Sequence, residues 1–71
     1  MKYYLQNKKT RHSRWEDLID EECEKIECDD INTANVIAEI KSTEIVGRQV
    51  RVVERSTRKV MTTYLAGNNI L

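Results

Sequence analysis

The residues with chemical potential in this chain are one histidine, two cysteines and a dense run of carboxylates. Cys23 and Cys28 lie five positions apart, with His12 upstream and acids on every side. Structural zinc asks for four N or S ligands, usually as two close pairs. Here the second pair is missing, so the sequence points to two small buried or half-buried thiols and to no metal or other cofactor. His12 is next to Ser13, but adjacency in sequence does not make a nucleophile–base pair, which needs convergence in space and a third orienting group. The carboxylates are too many and too close together to suggest a general acid, which needs an apolar setting to raise its pKa. Gly47 and Gly67 are the only glycines, so no glycine-rich phosphate loop exists. The chain reads as a binding protein and not as an enzyme.

What remains is charge, and it is sorted. The net charge is zero with 34% of residues charged. Lys2, Lys8, Lys9, Arg11 and Arg14 precede residue 16 without an acid among them. Nine of the twelve acids then fall within residues 16–30: Glu16, Asp17, Asp20, Glu21, Glu22, Glu24, Glu27, Asp29 and Asp30, opposed only by Lys25. A second basic run follows with Arg48, Arg51, Arg55, Arg58 and Lys59. Such asymmetry speaks to partners. The acidic set (Glu16, Asp17, Asp20, Glu21, Glu22, Glu24, Glu27) suits docking on a basic surface of a host protein, since complementary patches speed encounter and select the partner. The alternative is a nucleic-acid surface made of Lys8, Lys9, Arg11, Arg14, Arg51, Arg55 and Arg58. Trp15 fits a core position better than a base-stacking one.

Several elements must position these groups. Residues 2–6 read as a strand, 7–11 as a hairpin loop and 13–19 as the return strand. Residues 20–28 read as a loop or short edge strand. Asp30 is a good N-cap, and Ile31, Ala34, Ile37, Ala38, Ile40 and Ile45 recur at helical spacing, with Asn32, Asn35, Glu39, Ser42 and Thr43 opposite. The apolar arc is wider than one stripe, so either the acidic segment covers part of it or a partner does. Gly47 suits the turn after the helix. Residues 48–55 alternate, Val50 and Val52 on one face and Arg51, Val53 and Arg55 on the other; 59–65 form the partner strand after a turn at 56–58. The expected architecture is α+β, ββαββ, a four-stranded antiparallel sheet with one helix on one face. Residues 1–65 form the single domain and 66–71 a flexible tail.

Cys28-Asp29-Asp30-Ile31-Asn32-Thr33-Ala34 resembles the capped helix entry of small accessory proteins encoded by bacteriophages. In that group a strand like Tyr3-Tyr4-Leu5-Gln6 precedes a strand like Trp15-Glu16-Asp17, and one like Arg51-Val52-Val53-Glu54 follows the helix. The likeness spans most of residues 3–64, with Cys28 where a larger apolar residue is usual. It carries over no functional residue. It implies a protein that binds and modulates or inhibits a host protein in the host cytoplasm. No apolar run is long enough for a membrane span, and two cysteines are no disulfide framework, which suits a reducing compartment. Pairing of two copies through a sheet edge is a further possibility.

Overall fold

The structure is a computed structural model that describes residues 2–71; Met1, the first residue of the expected domain, lies outside that range. The chain is α+β, with one helix on an open antiparallel sheet. Strands β1 (Tyr3–Lys8), β2 (Glu16–Asp17) and β3 (Glu27–Cys28) precede helix α1 (Ile31–Glu44). Strands β4 (Gln49–Glu54), β5 (Val60–Leu65) and β6 (Asn68–Asn69) follow it. The sheet order is β2-β1-β4-β5-β6, with β3 also paired to β1. Six strands therefore replace the expected four.

Both additions have a physical cause. Strands β2 and β3 lie along the same edge of β1, with Asn7 opposite Glu16, Gln6 opposite Asp17, Tyr4 opposite Glu27 and Tyr3 opposite Cys28. They act as one edge strand whose middle, residues 19–25, is looped out as a small hairpin. The Leu18 amide donates to Leu5 O at 2.9 Å and the Leu5 amide to Ile26 O at 3.3 Å, so β1 stays bonded across the gap. The return strand over 13–19 is thus only two residues long, because the chain leaves the ladder after Leu18. The other addition falls in the expected tail. Ala66 (φ 52°) and Gly67 (φ 79°) both take the left-handed conformation, as the centre of a two-residue hairpin turn requires, and β6 pairs with β5.

Alternation assigns the two faces. Leu5, Val50 and Val52 are buried under the helix with Tyr3 and Leu18. The intervening Tyr4, Gln6, Arg51 and Val53 point the other way, since successive strand residues face opposite sides. Asp30 caps α1, its carboxylate accepting the Thr33 amide at 3.0 Å. The helix seats itself with Ala34, Ala38 and Ser42, all buried and four residues apart. Ser42, expected on the polar side, is 1% exposed, whereas Ile40, expected on the apolar side, is 56% exposed. The small residues win because they let the helix approach the sheet closely. The buried Ser42 hydroxyl is satisfied twice: it donates to Glu39 O at 2.7 Å and accepts the Gly67 amide at 2.9 Å.

Candidate functional site

Two surfaces carry the charged residues, and they differ in how those residues are held. The first is the looped-out hairpin. Asp20 organises its tip, one carboxylate oxygen accepting the Glu22 amide at 2.9 Å and the Glu24 amide at 3.0 Å. The Asp20 amide donates to Glu24 O at 2.8 Å, and Cys23 turns the chain at φ 62°. Glu21, Glu22 and Glu24 are exposed and belong to no ion pair among the described residues. Between this tip and α1 lies an open hollow of about 610 Å³, lined by Asp20, Glu21, Glu22, Lys25, Ile26, Glu27, Ile37 and Lys41. Ile26 and Ile37, both half-buried, supply its apolar part.

The remaining members of the acidic set behave differently. Asp17 accepts from Gln6 Nε2 at 3.3 Å and lies 3.8 Å from Lys25 Nζ. Glu27 pairs with Arg55 at 3.2 Å. Glu16 is exposed at the sheet edge, where its backbone oxygen accepts from Asn7 Nδ2 at 3.4 Å. Asp17 and Glu27 are thus set against cations, whereas Glu16 and the three glutamates of the tip are exposed and belong to no ion pair among the described residues.

The second surface is the sheet face opposite the helix. No protein-family model, no curated protein and no solved structure matches the chain. The surface must therefore be understood from its own geometry. Trp15 is not in the core. It lies half-buried on this face with the Arg51 guanidinium 4.2 Å and the Lys8 ammonium 5.0 Å from its ring centre. Gln6 Oε1 fixes Arg51 by accepting from Nε at 2.9 Å and from Nη2 at 2.6 Å. Desolvation holds the Arg51 pKa below its ordinary value, partly opposed by Tyr4, yet arginine stays charged in proteins. Further along, Lys25 sits 3.9 Å over the Tyr4 ring. Tyr4, Gln6, Asp17, Lys25, Arg55 and Arg58 line a hollow of about 400 Å³.

Of the expected basic set, Lys8, Arg51, Arg55 and Arg58 therefore share this face. Lys9, Arg11 and Arg14 are exposed in the β1–β2 loop beyond Lys8. Sequence reasoning passed over Tyr4, Gln6 and Lys25. The signal for the first two was the alternation of β1 itself, which places Tyr4, Gln6 and Lys8 together. Lys25 stood out only as the single cation in an acidic run.

The thiols are not a matched pair. Cys23 is exposed, contrary to the expectation of burial, because it occupies the tip of the looped-out hairpin. Cys28 is half-buried against the core, and burial, then Asp29 and Asp30, push its thiol pKa up. Among the described residues, no three His, Cys, Asp or Glu side chains converge as a metal site would need. No described helix is long and apolar enough to cross a membrane.

Proposed function

We infer that the protein is a non-catalytic binding module that docks a basic, amphipathic segment of a partner protein in the hollow between the acidic tip and α1. The observation that supports this reading is that Glu21 and Glu22 share one open hollow with Ile26 and Ile37, while the two lysines that also line it, Lys25 and Lys41, are paired with Asp17 and Glu44. A segment with Lys or Arg along one side and Leu or Ile along the other would satisfy both. Val36 and Ile40, exposed on the outer side of the same helix, extend the apolar surface available to it. The likeness to phage accessory proteins adds that the partner is a host protein, met in the host cytoplasm and modulated or inhibited by the contact. For a dimer joined edge to edge, β2, β3 and β6 are each two residues long and discourage pairing, which leaves the outer edge of β5 at residues 60–62, beyond the reach of β6, as the edge for a second copy.

The test is a synthetic amphipathic peptide of alternating Lys and Leu faces, titrated against the protein and its E21K/E22K/E24K variant. Three rim pairs at ~0.5 kcal/mol each predict about a tenfold loss of affinity at low salt. Equal affinity for both proteins would exclude the tip as the contact.

A further inference from the structure

We propose that the sheet face opposite the helix is a second binding surface, specific for single-stranded nucleic acid. Five cations (Lys8, Lys25, Arg51, Arg55 and Arg58) share this face with two carboxylates, Asp17 and Glu27, each already engaged in an ion pair. The excess is positive although the chain is neutral, because alternation puts Lys8 of β1 and Arg51 of β4 on this side and the adjoining turns add Lys25, Arg55 and Arg58. Two aromatic rings are interspersed with them, Trp15 near the Lys8 end of β1 and Tyr4 near the other. Positive charge that tracks a backbone, together with rings on which bases stack, is the combination that single strands use without sequence preference.

The spacing fits. From Tyr4 to Lys8 the strand spans about 13 Å at its usual rise, the scale of sheet surfaces on which two or three bases stack. The parts divide into two roles. Arg55, Arg58 and Lys25 surround the hollow of about 400 Å³ and meet phosphate there. Trp15 and the guanidinium plane of Arg51 form the stacking end, and bases stack on arginine planes as well as on rings. Arg51 is held in place by its two bonds to Gln6, so little ordering is required on binding. The Lys8 and Lys25 ammonium groups, on flexible stems, can leave the rings for phosphate as a base arrives. The exposed Lys9, Arg11 and Arg14 continue the positive surface past Trp15. Duplex fits poorly, because the rings can stack only on unpaired bases.

Trp15 is the only tryptophan and reports on its own site. An oligothymidylate about ten nucleotides long, within the range of single-strand site sizes, should quench its fluorescence on titration at low ionic strength. Four phosphate contacts, from Lys8, Lys25, Arg55 and Arg58, predict a slope of about −3 for log affinity against log salt, and an R55E/R58E variant should lower that slope towards about −1.4 and weaken binding at least about tenfold. Both substitutions are on the exposed surface, and a circular-dichroism melt checks that the variant folds. Lys25 lines both hollows, so E21K/E22K/E24K, which loses the acidic contact, should bind the oligonucleotide at least as tightly as the unaltered protein. Absence of quenching would overturn the proposal, as would an unchanged slope in R55E/R58E or loss of binding in E21K/E22K/E24K. Equal affinity for polyglutamate would also overturn it, assigning the face to an acidic protein. Equal affinity for duplex of the same length would overturn it too, because the rings can stack only on unpaired bases.

Discussion

The two faces of the sheet are made from the same strands, yet they solve opposite problems. Under the helix, Leu5, Val50 and Val52 are fully buried against Ala34 and Ala38, and stability there depends on volume. On the open face, the neighbours of those residues in sequence, Gln6 and Arg51, are held by hydrogen bonds and ring contacts that remain within reach of solvent. One side is built to exclude a ligand and the other to keep charged groups ordered without neutralising them. A domain this small has few buried side chains to lose, so the two faces should respond very differently to substitution.

The largest effect is expected from Leu5→Ala. A fully buried leucine at the centre of the sheet should lose about 2–5 kcal/mol, measured by urea denaturation; a loss under ~1 kcal/mol would mean that the helix-covered face is looser than described. Overfilling the helix seat with Ala38→Leu should cost about 1–3 kcal/mol, and an unchanged melting temperature would show that helix and sheet are not in close contact. Ser42→Ala removes a hydroxyl that joins α1 to the β5–β6 turn. It should cost about 1–2 kcal/mol and speed hydrogen exchange at the Gly67 amide, which no other described group accepts. On the open face, Trp15→Ala should change stability by only about 0.5–1 kcal/mol, the scale of an exposed cation–ring contact. A drop as large as that for Leu5→Ala would place Trp15 in the core after all. The smallest difference is kinetic. Exposed Cys23 should react with a thiol reagent near neutral pH before Cys28, whose raised pKa lowers its thiolate fraction, and Cys28 should gain on it only as pH rises. Equal rates would show that Cys28 is as open as the tip.

Sequence reasoning succeeded where a local rule was sufficient. Asp30 was recognisable as a cap, α1 ended within a residue of the expected Ile45, and the Val50–Val52 face of β4 was readable from its period of two. It missed β6 because Ala66 is an unusual residue for a left-handed turn position, and this hid the hairpin. It placed Ser42 on the wrong side because hydrophobicity, and not side-chain size, was the guide. In the candidate surfaces, the acids and bases were visible as blocks, but blocks do not specify neighbours. Asp17 and Glu27 are close to Lys25 and Arg55 only because β2 and β3 share one edge of β1.

Residue type and spacing alone determined that the chain has one capped helix, alternating strands and charges grouped by region, since capping, pleat and composition act over a few residues. Tertiary structure decided which charges stay free. With residues 19–25 looped out of the edge strand, Glu21, Glu22 and Glu24 belong to no ion pair among the described residues, while Asp17 and Glu27 are brought against Lys25 and Arg55. Coulomb attraction depends on distance in space, and in this chain that distance is set by long-range strand pairing.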